Sequence, residues 1–225
     1  MNQRSAQFIE FALQTGALAF GDFTTKSGRH TPYFFDAGRF DHGANLHRLA
    51  QFYAQTILAT HNAGKLQFDM LFGPAYKGIV LAAATAITLS EFGLDVPFCF
   101  NRKEPKDHGE GGMLVGAPLA GRVLIIDDVI TDGAAKRESV ALIRASGAQP
   151  AGVVIMLDRM ERTGPDNDLS RESAVQAFER TTGTPVIAIA NLDHLLGFLH
   201  SDAPLAARVR PQLAALEQYR KRYGA

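Results

Sequence analysis

Residues 123–135 read VLIIDDVITDGAA, an apolar run that ends in two adjacent acids and passes into a loop of small residues. Val123 to Ile126 is aliphatic throughout, too short for a helix, and follows closely on Gly121, which predicts a buried strand of a parallel sheet. Asp127 and Asp128 then stand at its carboxyl end. Thr131, Asp132, Gly133, Ala134 and Ala135 predict a tight turn whose backbone N–H groups converge at the start of the next helix, where the helix dipole supplies roughly half a positive charge. A phosphate suits that turn. The acids need another partner, because a carboxylate and a phosphate about 5 Å apart repel by roughly 3 kcal/mol at an effective dielectric of about 20. Sugar hydroxyls are the natural one. Adjacent strand residues point to opposite faces, so the two acids are expected to differ in their work, although both can reach a ribose diol or a hydrated cation from a strand end. The plainer alternative is a turn whose Asp caps a helix.

Outward from this stretch, strand-like runs alternate with helical patterns from residue 69 onward, which predicts an α/β fold with a mostly parallel central sheet flanked by helices. Strands are expected at Met70–Phe72, Val96–Phe100, Val123–Ile126, Val153–Leu157 and Val186–Ala190. Helices are expected at about 78–91, at about 134–145 with Gly147 just beyond its end, from a Ser170 cap to about Thr182, and from Pro211 to Tyr223. Ile79 to Leu89, alanine-rich and broken by threonines, reads as a buried helix packed on the sheet. Residues 1–15 carry Phe8, Phe11 and Ala12 at helical spacing. Residues 16–40 do not fit the parallel sheet and suggest a small antiparallel hood over its carboxyl edge, within one domain spanning 1–225.

Composition narrows the partners. The chain has 225 residues, 46% hydrophobic and 20% charged, with a formal net charge of zero and a sequence pI of about 7.1. No basic field draws nucleic acid or an anionic membrane, so any anion site is local. Cys99 is the only cysteine, which leaves no intrachain disulfide or thiolate metal cluster and fits a cytoplasmic protein. No leader-like apolar segment and no membrane-spanning run is expected.

Two further segments carry chemistry. Gly73-Pro74-Ala75-Tyr76-Lys77-Gly78 joins a strand to a helix, where α/β sheets bind ligands; its glycines permit close backbone approach and Lys77 adds charge, which suits diphosphate. A plain Gly-Pro turn is the alternative. NRKEPKDHGEGG at 101–112 cannot build a core and reads as a surface hairpin, either solvated and inert or a lid that closes over an anionic substrate. Phe34 and Phe35 either bracket a flat base or belong to the core. Arg159, just past a strand, either forks onto a ligand carboxylate or pairs with Glu161 or Asp158.

Residues 123–135 resemble the phosphoribosyl-diphosphate signature of the type I phosphoribosyltransferases. KSGRHTPYFFDAGRF at 26–40, FNRKEPKDHGEGG at 100–112 and Arg159 are similar to the blocks of its orotate-using members, so the resemblance covers nearly the whole chain. It implies magnesium-dependent transfer of ribose 5-phosphate from phosphoribosyl diphosphate to orotate, in pyrimidine biosynthesis. Tyr76 and Lys77 would lie at the diphosphate, in a loop that commonly contains a cis peptide. Asp127, Asp128, Val129, Ile130, Thr131, Asp132, Gly133, Ala134 and Ala135 would hold the ribose 5-phosphate. Phe34, Phe35, Thr131 and Arg159 would face orotate, with Lys26 between base and ribose donor. Lys103 would serve its own subunit, whereas Arg102, Lys106 and His108 would act across a homodimer interface. Lys106 would stabilise the departing diphosphate, and His108 would touch phosphate or assist proton transfer. Magnesium would be held by ligand and water rather than by a protein cage. One departure stands out: the family usually has small or hydroxyl residues where this chain has Asp132 and Ala134. Asp132 is expected to face solvent or to pair with Lys136 or Arg137. A phosphoribosyltransferase for another base, or a non-catalytic binder of phosphoribosyl diphosphate, remains open at this level.

Overall fold

The computed structural model describes residues 2–25, 28–106 and 112–225, with the side chains of Pro105 and Lys106 outside the description. Six strands form the main sheet: β3 (Met70–Gly73), β4 (Phe98–Lys106), β5 (Gly112–Gly116), β6 (Arg122–Ile126), β7 (Gln149–Asp158) and β8 (Val186–Asn191). Their order across the sheet is β5-β4-β3-β6-β7-β8, and every pairing is parallel except that of β4 with β5. The sheet is therefore the mostly parallel one expected.

Why helices cover both faces follows from alternation along the strands. Leu71, Leu124, Ile126, Val154 and Met156 enter one core layer together with Leu81, Ala82, Ala86 and Leu89 of helix α3 (Lys77–Glu91). Met70, Phe72, Val123, Ile125, Val153 and Ile155 enter the other, with Val140 and Ile143 of helix α4 (Ala134–Ala145). Val123 to Ile126 is fully buried, and each such side chain stabilises the fold by about 1.5–3 kcal/mol. The chain leaves β3 through α3 toward β4 on one side and leaves β6 through α4 toward β7 on the other. Neighbouring β3 and β6 thus mark a topological switch point, where an open α/β sheet has its crevice.

The α4 boundaries agree with expectation, and Gly147 follows its end at φ +79°. Other boundaries differ for physical reasons. Ser170 does not cap a helix: α5 (Ala174–Thr182) starts at Ser173, whose side chain accepts from Gln176 N while Gln176 Oε1 accepts from Ser173 N. That reciprocal box satisfies two amides at once. Ser170 Oγ instead accepts from Thr163 N and donates to Glu172 O, closing the preceding loop. β4 begins at Phe98 rather than Val96 and runs on through charged residues, because antiparallel β5 supplies their partners. Helix α8 spans Leu213–Tyr223, after a short 3-10 turn that takes up Pro211. Helix α2 (Gly43–Asn62), without a side-chain cap at His42, and the helices α6 (Leu192–Leu199) and α7 (Pro204–Val209) go beyond the expected elements. α3 packs on the sheet as expected along one face only, since Val80 is 51% and Ile87 63% exposed.

The hood is an antiparallel pair, β1 (Leu18–Thr24) with β2 (His30–Phe35). Helix α1 (Gln3–Gln14) packs against β8, with Ser5 Oγ donating to Ile189 O, and reaches the hood through Phe8, whose ring centre lies 6.3 Å from that of Phe35. Arg29 fastens the hood to the main body: its guanidinium donates to Arg162 O and Gly164 O and lies 4.4 Å from the Tyr223 ring centre. No helix among the described residues is long and apolar enough to cross a membrane.

Candidate active site

Two loops leave adjacent strands at the switch point. The first, after β3, folds so tightly that a Cβ on Gly73 would collide with the Gly78 carbonyl, and one on Gly78 would lie 2.5 Å from Pro74 Cδ and 2.8 Å from Ile126 O. Close backbone approach, not a left-handed φ, is what glycine serves here. The Ala75–Tyr76 peptide is cis. Ala75 N donates to Asn101 Oδ1 of β4, and Lys103 Nζ lies 5.1 Å above the exposed Tyr76 ring. The hairpin arm and the glycine loop therefore meet.

The second loop carries the acids. Asp127 N extends the ladder to Val154 O, Tyr53 OH donates to Asp127 O, and Asp128 O accepts from Met156 N. Both acids lie just beyond the last residue of β6, and their carboxylates approach one lysine. Asp127 Oδ2 sits 2.6 Å from Lys136 Nζ, which is itself 3.8 Å from Asp128 Oδ1. Asp128 Oδ1 accepts from Val129 N, and Oδ2 pairs at 2.8 Å with Lys77 Nζ of the first loop. Burial pushes the Asp127 carboxyl above the usual carboxylate range, with Lys136 pulling the other way and Asp128 adding to the rise. Burial also works on Asp128, but the Lys77 hydrogen bond, the Val129 amide and the lysine charges outweigh it and hold this carboxyl low.

Gly133 takes a left-handed φ of +76° as the residue before α4, and no side chain caps that helix. Ala134 N is already engaged, donating to Asp132 Oδ1. Asp132 thus pairs with neither Lys136 nor the Arg137 side chain through its carboxylate; Arg137 Nη1 donates to its backbone oxygen. Thr131, Ala134 and Ala135 are exposed at the turn, and Ile130 is buried beneath it.

Arg159 follows β7, the strand beside β6, so it stands at the same sheet edge as the acids. The ion-pair reading of this residue holds: its Nη2 is 2.9 Å from Glu161 Oε1, and its Nε donates to Glu161 and to the hood's Tyr33 hydroxyl. The rings of Phe34 and Phe35 do not face one another across a common gap. As neighbours on a strand they face opposite ways: Phe34 is 44% exposed beside Phe23, whereas Phe35 turns to the core rings of Phe8 and Phe40. Arg102 Nη1 donates to Gly112 O within its own hairpin. Lys106 is placed only by its backbone, opposite Gly112; Lys26 and His108 lie outside the described residues.

Lys136, Tyr53, Asn101 and Tyr33 were not legible as members of this constellation, whereas Glu161 was named as a partner of Arg159. For Lys136 a signal existed: a cation in the first turn of a helix opposes the dipole, so a buried one there requires an acid nearby.

Fold and crevice together define the phosphoribosyltransferase class, with an amide-lined turn and acids on one strand and a glycine loop on its neighbour. The phosphoribosyl transferase domain model matches residues 39–186. The chain is 57% identical to the orotate phosphoribosyltransferase of Herminiimonas arsenicoxydans over 224 residues, covering 100% of this chain and 99% of that one. It is 58% identical to that of Bordetella petrii, covering 98% and 96%. The crystal structure of the Francisella tularensis orotate phosphoribosyltransferase matches with a TM-score of 0.82 at 39% identity, over 97% of this chain and 100% of that one. The chain belongs to the orotate phosphoribosyltransferase family.

Proposed function

We propose that this protein transfers ribose 5-phosphate from phosphoribosyl diphosphate to N1 of orotate, giving orotidine 5′-phosphate and diphosphate for pyrimidine biosynthesis in the cytoplasm. The observation that carries this reading is the Lys77–Asp128 contact, which joins the two loops of the switch point into one crevice. The 5′-phosphate meets the turn from Thr131 to Ala135, and the ribose diol meets Asp128, with Asp127 behind it. Diphosphate lies along Tyr76 and Lys77. Orotate sits beneath the hood formed within residues 1–40, its carboxylate on Arg159. The bond from the anomeric carbon to the diphosphate breaks as the bond to N1 forms, so charge accumulates on the leaving group and the protein's task is to position and neutralise it.

Magnesium fits this crevice in one way. No group of three or more metal-binding side chains occurs among the described residues, but Asp128 offers a hard oxygen donor that would meet a hydrated ion held mainly by the diphosphate and water. When bound there, it supplies positive charge to the leaving oxygens. Lys103 and Lys106 of the hairpin add to it.

A spectrophotometric assay with orotate, phosphoribosyl diphosphate and magnesium is expected to show turnover, with uracil and purines inert. Activity on uracil but not orotate would remove Arg159 as carboxylate reader, and binding of the ribose donor without turnover on any base would favour a regulator.

The homodimer is part of the same proposal. It is supported by apolar side chains that α3 and its approach leave uncovered, Tyr76, Val80 and Ile87, at one-face spacing. Arg102, Lys106 and His108 then act on the neighbouring site. Mixing the impaired Lys106→Ala and Arg159→Ala proteins is expected to raise activity above that of either alone, because one site of the mixed dimer lacks both lesions. No recovery after verified subunit exchange would place Lys106 in its own site.

A further inference from the structure

Among the described residues, the hydrogen bonds and ion pair of the Arg159 side chain run through one edge of its guanidinium. Nε donates to Glu161 Oε1 at 2.9 Å and to Tyr33 OH at 3.2 Å, and Nη2 lies 2.9 Å from the same Glu161 oxygen. Tyr33 OH in turn donates to Glu161 Oε1 at 2.9 Å, and its ring centre lies 5.0 Å from the Arg159 guanidinium carbon. Arg159 Nη2 is nevertheless buried without a well-aligned acceptor. Tyr33 is fully buried in the hood, and Glu161 is itself held at 3.8 Å by Arg29, the residue that fastens the hood.

We infer that Glu161 and Tyr33 are positioning residues for orotate: they lock the Nε–Nη2 edge of Arg159 and leave Nη1 for the ligand carboxylate. This rests on the reading of Arg159 given above. A guanidinium offers two edges that each match a carboxylate in a fork, and a free arginine side chain rotates between many orientations. An internal carboxylate that occupies one edge removes that freedom before ligand arrives, so orotate binding does not have to order the side chain. Because Tyr33 comes from β2, the same contact sets the hood's height above the end of β7.

The test is steady-state kinetics with both substrates varied, alongside thermal melting. Glu161→Ala is expected to raise the KM for orotate about tenfold, leaving the KM for phosphoribosyl diphosphate within twofold and kcat within threefold. Glu161→Gln, whose amide oxygen still accepts from Nε, is expected to recover most of that loss. Tyr33→Phe, nearly isosteric, is expected to raise the orotate KM about threefold and carries the test if Glu161→Ala does not fold. Equal changes in both KM values, an unchanged orotate KM, or a glutamine variant as impaired as alanine would overturn the inference. Arg159→Ala separates the two levels. If it raises the orotate KM while Glu161→Ala and Tyr33→Phe do not, only the positioning role falls; if it has no effect, the base-site reading falls and takes the inference with it.

Discussion

Lys136→Met is expected to lower the melting temperature by on the order of 10 °C. Lys136 Nζ is 2.6 Å from Asp127 Oδ2, and both side chains are about nine-tenths buried. Removing the cation strands a carboxylate in the interior, and breaking such a pair costs about 3–5 kcal/mol. At this chain length each kcal/mol moves the midpoint by roughly 2–4 °C. The double variant Asp127→Asn with Lys136→Met is expected to regain much of the loss, because it removes both charges and leaves a neutral amide against an apolar stem. Circular dichroism melts of the three proteins decide the matter. A single variant that melts with the parent would mean that water, not Lys136, is the partner of Asp127.

The second large effect is catalytic and falls on the neighbouring acid. Asp128→Asn is expected to reduce kcat/KM for phosphoribosyl diphosphate by about 10²–10³-fold, since hydrogen bonds from a sugar diol to a charged acceptor contribute about 1.5–3 kcal/mol each. Asp128 is the acid whose outward partner, Lys77, is 57% exposed and belongs to a loop that must itself meet ligand. Asp127 is committed to the interior. Asp127→Asn should therefore cost more in stability and less in ribose-donor affinity. Equal kinetic losses from the two substitutions, measured with the ribose donor varied at saturating orotate, would refute this division of labour.

What was legible in the sequence was local. The run from Val123 to Ala145 fixes a strand, a turn and a helix by short-range pattern alone, and the structure places α4 over the expected residues. Alternation of adjacent residues also foretold that Asp127 and Asp128 would take different main partners, Lys136 and Lys77, although both approach Lys136. The same rule, applied to Phe34 and Phe35, would have separated them, yet an aromatic pair suggests a bracket more readily than a strand does. Ser170 and Ser173 show how a cap is chosen: only Ser173 has a glutamine three residues later to return the hydrogen bond. Partners distant along the chain left no trace. Tyr33 and Glu161 are 128 residues apart and Tyr53 and Asp127 are 74 apart, so their contacts exist only once the hood and α2 have docked.

The adjacency of β3 and β6 has a metric consequence. Backbone hydrogen bonds hold Met70, Leu71 and Phe72 beside Val123, Leu124 and Ile125, so the strands are about 4.8 Å apart. The glycine loop and the amide turn are thus the jaws of a calliper whose gap is set by peptide geometry rather than by any side chain. Residues on the jaws, Asp132 and Ala134 among them, can vary and alter the grip without altering the length of molecule that fits between.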